Sequence, residues 1–373
     1  MINVCTIGIG NCGGQIADLA MQKYNIKGVA INSSANDLVN IKNVTKIVVG
    51  DQTGAGKNRE EARNFIKLHI KRLLEQEKFI DHIESNDVVF VISSTGGGTG
   101  SGMAPVMVDI LSRKFQSKKF ILIEVYPPIA ESVAAQQNSL DYLNEVNKFL
   151  PNVVYMAYDN NKRASLSSPE MMKSINEEIV DAISVLRGDY LYPTPYNSID
   201  EKDMLRFFET PGRLALYILS DIKEKDFDDS TIEDTLLNVI KNVSTNVELD
   251  RDKIVKRMGV ITNLNEKMNG MFNDNMLKIK EFIGEPVEGY QHTYIAGNDE
   301  AQRIMLIVSG LSVPDDRLKK IVQRIEESVS ELSKVKESSI LGNITTDKIK
   351  DLRMSENSTS DLDLDDLFSR YDD

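Results

Sequence analysis

Apolar residues in the first 160 positions recur in two alternating rhythms. Short apolar runs rich in β-branched residues cover 3–9, 28–31, 46–49, 88–93, 120–126 and 153–158, and each predicts a strand. Between them, apolar positions three or four apart predict helices at 13–24, 58–76, 102–114 and 134–149. Strand and helix in alternation predict a mostly parallel, Rossmann-type α/β sheet with helices on both faces. Ligands of such sheets bind beyond the carboxyl ends of the strands, among the loops.

A long helix is predicted over 169–190. Ser168, Pro169 and Glu170 form a start signal, and Met172, Ile175, Ile179, Ile183 and Leu186 keep a helical spacing. "GDYLYPTPYNS" at 188–198 then breaks the pattern and reads as a hinge between two halves. The second half predicts strands at 214–219, 257–262, 290–296 and 303–308, and helices at 230–243 and 274–283. A last long helix begins near Pro314. Leu318, Ile321, Val322, Ile325, Val329, Leu332 and Val335 make one stripe along it, which packs on the body of the protein or leaves part of its length for a partner. After Gly342 the texture changes. Residues 355–373, "SENSTSDLDLDDLFSRYDD", carry seven acids and one Arg, with Leu362, Leu364, Leu367 and Phe368 among them. A solvating tail does not need those apolar residues, so a recognition motif is expected there.

Composition narrows the function classes. The chain has 373 residues, room for two cores, with 41% hydrophobic and 27% charged residues. No run approaches the roughly 20 apolar residues of a membrane span, and "MINVCTIGIG" is not built as an export signal. Two cysteines, Cys5 and Cys12, suit a reducing cytoplasm. The three histidines lack metal-ligand spacing. A net charge of −13 repels phosphate backbones, so direct DNA binding is not expected; a basic adaptor is the better nucleic-acid contact.

Two glycine loops follow predicted strands. "GIGNCGG" at 8–14 places Gly8, Gly10 and Gly13 at the dinucleotide spacing. A dehydrogenase needs an acid at the end of the second strand to hold ribose, and Asn32-Ser33-Ser34 stands there, which argues against an oxidoreductase. "SSTGGGTGSG" at 93–102 has five glycines in seven positions, 96–102. Its successive N–H groups form an anion nest, with hydroxyls from Thr99 and Ser101. "TGAGKN" at 53–58 is not a Walker loop, because Asp51 stands where the first Gly belongs and Asn58 replaces the hydroxyl. It can still supply backbone donors. Two glycine-rich turns at one sheet edge point to a ligand with several phosphates.

Residues 96–102, G-G-G-T-G-S-G, match the signature of the tubulin/FtsZ superfamily, which the chain resembles over about residues 1–340. The resemblance implies a GTPase. It makes Gly10, Asn11, Cys12, Gly13 and Gly14 the diphosphate and base loop, with Asn32 beside it. Thr53, Gly54, Ala55 and Gly56 become the γ-phosphate loop, and Gly97, Gly98, Thr99 and Gly100 the second phosphate wall. Glu131, after "YPPIA", corresponds to the ribose ligand, Asn160 to a sugar or base contact and Asn176 to the guanine reader. Ala135 stands where bacterial FtsZ carries an Arg. The implied ligands are GTP or GDP with Mg²⁺ carried on the phosphates and no dedicated protein metal site.

Glycine loops offer no base. Asp200 and Asp203, in "YNSIDEKDMLRFF", lie three apart at a predicted helix start and share one face. The resemblance places this loop, with Asn197, in the nucleotide pocket of the next subunit of a head-to-tail filament. There the acids polarise water, and the enzyme is complete only in the polymer. A capping pair is the other reading of the same residues. The implied division is 1–168, a GTP-binding domain; 169–191, a central helix; 192–342, a smaller α+β activation domain with a long final helix; and 343–373, a flexible acidic tail. The lack of an I-P-x-F-L end, the long last helix and the acidic tail resemble the TubZ group of bacterial plasmids and phages. That group segregates DNA through a TubR-type DNA-binding adaptor docked on the tail; the tail could instead latch a neighbouring subunit. A divergent FtsZ, a Rossmann oxidoreductase and a non-hydrolysing filament remain as alternatives.

Overall fold

Strand β1 (Val4–Ile9) is buried along its whole length, which is why, Thr6 apart, its residues carry no polar alternation. In the structure, a computed structural model, residues 1–51, 53–189, 198–228, 230–248, 254–296 and 302–338 are described. Asn197, most of the predicted hinge and the predicted tail at 343–373 lie outside the described residues, as do the side chains of Leu332 and Val335. From β1 the chain runs through α1 (Gly10–Tyr24), β2 (Gly28–Asn32), β3 (Thr45–Val48), α2 (Arg59–Leu73), α3 (Glu77–Glu84) and β4 (Val88–Ser94). It continues through α4 (Thr99–Lys114), β5 (Lys119–Tyr126), α5 (Val133–Phe149), β6 (Val154–Asp159) and α6 (Ser168–Arg187). Then come α7 (Glu201–Phe208), β7 (Gly212–Ser220), α8 (Ile232–Asn238), β8 (Ile254–Leu264), α9 (Glu266–Asp274), α10 (Met276–Ile283), β9 (Glu285–Ala296), β10 (Arg303–Leu311) and α11 (Asp315–Ser338).

Ten strands form one sheet in the order β3-β2-β1-β4-β5-β6-β7-β10-β8-β9. The run from β3 to β7 is parallel, β10 is antiparallel to both its neighbours, and β8–β9 is parallel. The predicted parallel sheet is therefore present, and it continues through both halves of the chain. The join is the β6–β7 pairing of Val154 with Gly212 and Tyr155 with Arg213.

Two cores cover the faces of the parallel part. Ile7, Val89, Val91 and Leu122 face α2, α4 and α5, whereas Val4, Phe90, Ile92 and Ile121 face α1, α6 and α7. A third core joins β7, β8 and β10 to α8, α9 and α10. The helix predicted over 58–76 is α2, and a second helix, α3, follows it without having been predicted. The second is too short, at eight residues, for its Phe79 and Ile83 to repeat a helical period. The helix predicted at 230–243 is α8 followed by a wider turn at Val239–Val243, and α9 was not predicted.

Helix α11 returns from the third core onto α5. Arg317 begins it, with a side chain 3% exposed. Its Nε donates to Asp159 Oδ2 at 2.8 Å, and a terminal nitrogen donates to the Pro127 carbonyl at 2.6 Å. Leu318, Ile321 and Ile325 of the predicted stripe pack against the first core, whereas Val322 and Val329 stay 37% and 44% exposed. The stripe thus divides: one flank docks the helix and the other faces solvent.

Glu124 lies inside the parallel sheet at 0% exposure. Its Oε2 accepts from the Tyr126 hydroxyl at 3.1 Å, and Oε1 has no partner. Burial pushes its carboxyl from 4.5 up to about 8.

Two stability predictions follow from these groups. Because the folded chain holds the Glu124 proton more tightly than the unfolded one, its contribution is full below about pH 4.5 and falls as pH rises through about 8. Glu124→Gln is expected to flatten that decline in urea midpoints measured at pH 5, 7 and 8.5; an unchanged slope would refute the assignment. Arg317→Ala leaves the Asp159 carboxylate buried and unpaired, at a cost of about 3–5 kcal/mol, and replacing both residues by Leu is expected to recover most of it. Equal losses in the single and double variants would contradict the pairing.

Candidate functional site

The loops at the carboxyl ends of β1 and β4 touch backbone to backbone. A Cβ on Gly8 would lie 2.1 Å from the Gly13 carbonyl oxygen, and one on Gly13 would lie 2.0 Å from that of Ile92. Gly10 has φ +74°, and its Cβ would stand 3.0 Å from the Gly100 nitrogen. No side chain fits along this seam. Asn138 of α5 stitches in the third loop: its Nδ2 donates to the carbonyls of Lys57 (3.0 Å), Gly96 (3.3 Å) and Gly97 (3.2 Å). Ser33 and Thr99 join their hydroxyls at 2.7 Å.

These loops enclose an open cavity of about 420 Å³. Gly10, Asn11, Cys12, Gly54, Ala55, Gly56, Gly97, Gly98, Thr99 and Gly100 line it, ten of the residues expected from the sequence. Helices α1 and α4 both start at this cavity, and neither has a side chain capping its first turn. By contrast Asn58 caps α2 and Ser132 caps α5 beside it. Two helix starts with unsatisfied N–H groups give the cavity donors and positive dipole ends, the chemistry that holds phosphate. Desolvation of the Cys12 sulfur pushes its thiol up to about 12.

Other expected residues lie around the cavity rather than in its wall. Gly13 and Gly14 pack α1 on the sheet. Asn32, 1% exposed, organises the β2 end: its Oδ1 accepts from the Ser34 amide at 3.1 Å and its Nδ2 donates to Asp37 at 3.3 Å. Glu131 reaches the wall through Lys57, whose Nζ lies 3.0 Å from Glu131 Oε1. That donor holds the Glu131 carboxyl below its usual range. Asn160 opens a short turn after β6 with its Oδ1 buried and unpartnered. Asn176, 8% exposed, sits one helical turn past Met172, which lines the cavity, so the two share a face of α6. Thr53, read from the resemblance alone, lines the wall as well. Ser34, Asp37, Lys57, Ser94 and Met172 line it without having been predicted. Only Lys57 carried a signal, its place directly after Gly56 in a motif rejected as a Walker loop.

The carboxylate pair is elsewhere. Asp200 caps α7, its Oδ1 accepting from the Asp203 amide at 2.8 Å, while Asp203 Oδ2 accepts from the Asp200 amide at 3.2 Å. The cap reading is therefore realised, with one oxygen of each acid outside the box. Glu201 beside them pairs with the amino group of Met1, and Lys119, at the start of β5, lies 3.0 Å from Glu209 just after α7. Helix α7 thus sits at the amino ends of the strands. The six residues of β1 put roughly 20 Å between that edge and the cavity. Neither acid can act on a ligand in its own cavity.

Residues 3–166 match the Tubulin/FtsZ family, GTPase domain. The tubulin-like protein CetZ of Pyrococcus abyssi is 28% identical over 189 residues, 48% of this chain and 51% of that protein. The tubulin-like protein TubZ of Clostridium botulinum C phage is 28% identical over 178 residues, 46% of this chain and 47% of that protein. The chain spans about half the length of the curated relatives it matches. The crystal structure of Clostridium botulinum phage c-st TubZ superposes with TM-score 0.70 at 18% identity, over 89% of this chain and all of that one. The GTPγS-bound protofilament of CetZ2 from Haloferax volcanii gives the same score, identity and coverage of this chain, and is likewise covered in full. The fold is thus the tubulin/FtsZ fold, and residues 3–166 are similar to the GTPase domain of the Tubulin/FtsZ family.

Proposed function

We propose that this protein hydrolyses GTP and assembles head to tail into filaments, and that the two activities are one. The observation that carries the reading is the placement of an anion cavity at one edge of the sheet and a carboxylate pair at the other. Stacked head to tail, each chain would bring Asp200 and Asp203 to its neighbour's cavity. There a carboxylate would accept a proton as water attacks the γ-phosphorus, the bond to the bridging oxygen breaks, and GDP and phosphate remain. Lone glycine loops would bind the nucleotide but leave water unactivated. Asn176, on the same face of α6 as the cavity-lining Met172, would read the base, and Asn160 and Glu131 would reach the sugar. Mg²⁺ would be carried by the phosphates, with Asp37 the one carboxylate among the described lining residues; no cluster of three or more metal-ligating side chains occurs among the described residues. CetZ2 as a GTPγS-bound protofilament supports both nucleotide and self-assembly.

The cargo we propose is plasmid or phage DNA in the cytoplasm of a bacterial host, carried through a basic DNA-bound adaptor of the TubR type that docks on residues 343–373. The −13 net charge supports an adaptor over direct DNA contact. No helix of the described residues is long and apolar enough to cross a membrane.

Turnover per molecule is expected to rise steeply with protein concentration, since each site needs two chains. Phosphate release per molecule that stays flat from nanomolar to micromolar protein would exclude the shared site. Asp203→Asn and Asp200→Asn keep an acceptor for the α7 cap, so each is expected to bind GTP normally, slow hydrolysis at least tenfold and give persistent filaments in sedimentation. Wild-type phosphate release by both variants would reassign the pair to capping alone.

A further inference from the structure

A second cavity, of about 240 Å³, lies between α5 and the junction of β10 with α11. Leu143 and Leu150 of α5 line it on one side and Leu318 of α11 on the other, with Asn144 exposed at its rim. An apolar cavity of about 150 Å³ holds benzene, so this one has room for a single ring with a short substituent. Glu124 belongs to the lining. Its side chain points this way because alternate residues share a strand face, and Leu122 and Tyr126 on either side of it pack in the first core with α5. Oε2 accepts from the Tyr126 hydroxyl at 3.1 Å, and Oε1 has no partner. No lysine, arginine or histidine is among the described lining residues, so no cation there offsets a charge. Burial keeps the carboxyl a neutral acid at pH 7. A neutral acid carries one O–H donor. With Oε2 accepting from Tyr126, the free Oε1 takes the proton, and that donor lacks an acceptor.

We propose that this cavity binds a small, uncharged, largely apolar molecule through one carbonyl oxygen, of a ketone, ester or amide, that accepts a hydrogen bond from Glu124 Oε1. The ring of such a ligand takes the place of solvent between the leucines of α5 and α11, and its oxygen supplies the acceptor that the buried acid lacks. An anion finds no cation in the described lining. A cationic amine binds only after the acid has ionised inside the protein. The groups around the carboxyl leave it this role. Tyr126 faces it on the same strand and Tyr142 from α5, and desolvation pushes both hydroxyls well above the usual phenol range. Tyr155 of β6 and Arg213 of β7 lie on the far side of Tyr126, and Arg213 donates to the carbonyls of Ser312, Val247 and Glu248. Arg317 of α11 stands over the Tyr126 ring and pairs with Asp159, and Arg59 of α2, beyond Tyr142, pairs with Glu145.

The test titrates three probes into the full chain by saturation-transfer NMR: acetophenone, which has one carbonyl; cumene, of the same shape without it; and benzylamine, a cation. Acetophenone is expected to bind at pH 7 with a Kd on the order of 1 mM, as suits so few atoms. Its affinity is expected to fall about tenfold from pH 7 to pH 9 as the carboxyl ionises through about 8, whereas that of cumene changes less than about twofold. Glu124→Gln keeps a donor and cannot ionise, so it is expected to hold acetophenone within about threefold of wild type and to lose the pH response. Asn144→Trp, at the exposed rim, is expected to abolish binding of both neutral probes without moving the urea midpoint. No acetophenone binding, a pH response that persists in Glu124→Gln or is shared by cumene, or binding untouched by Asn144→Trp overturns the site. Tighter binding of benzylamine than of acetophenone at pH 7 overturns the ligand class.

Discussion

Everything in the nucleotide half depends on how closely three stretches of backbone approach one another. Gly8 against Gly13 and Gly13 against Ile92 leave no room for a Cβ, and Gly10, whose Cβ would stand 3.0 Å from the Gly100 nitrogen with φ +74°, leaves little. The approach brings the first turns of α1 and α4 to one point with their N–H groups unsatisfied. A helix start left bare in this way must find an acceptor in water or in a ligand. Asn138 then fixes the third loop to the same seam, the two hydrogens of its amide nitrogen shared among three carbonyls. The cavity is therefore a consequence of packing: the glycines that let the helices converge also leave donors facing the gap.

The same sheet separates the glycine loops from the carboxylate pair. Anion-binding groups collect at the carboxyl edge because helices begin there. The acids collect at the amino edge because α6 runs back across the sheet and α7 starts from its far end. A strand length keeps them apart. Under the function proposed above, an isolated chain would be a weak catalyst. Each contact between stacked chains would be a condition for hydrolysis, so that assembly and turnover would depend on one interface.

The fold was legible because its signal is periodic. Strands buried on both faces, such as Val88–Ser94, read as unbroken apolar runs, and α6 announces itself with a capping box and Pro169. Short elements escaped: α3 has too few turns for a period, and α9 carries Asn and Gly at positions a pattern search expects to be helix-forming. In the site, the glycines were legible because spacing alone marks them. Asp37, Ser34 and Met172 were not, because nothing in their neighbours distinguishes a wall residue from a surface or core one.

Sequence alone determined the parallel sheet, the order of its strands and helices, and the two glycine turns, since periodicity and glycine spacing are local properties of the chain. It also marked Asp200 and Asp203 as a pair sharing one helix face. Tertiary structure decided which residues face the cavity. It turned Gly13 and Gly14 into packing positions and Asn32 into a loop brace, and it tied Glu131 to Lys57 across 74 residues of chain. It also set the acids at the opposite edge from the phosphate loops. Which edge a loop occupies depends on strand direction and on how α6 crosses the sheet, and neither is encoded in the residues of the loop itself.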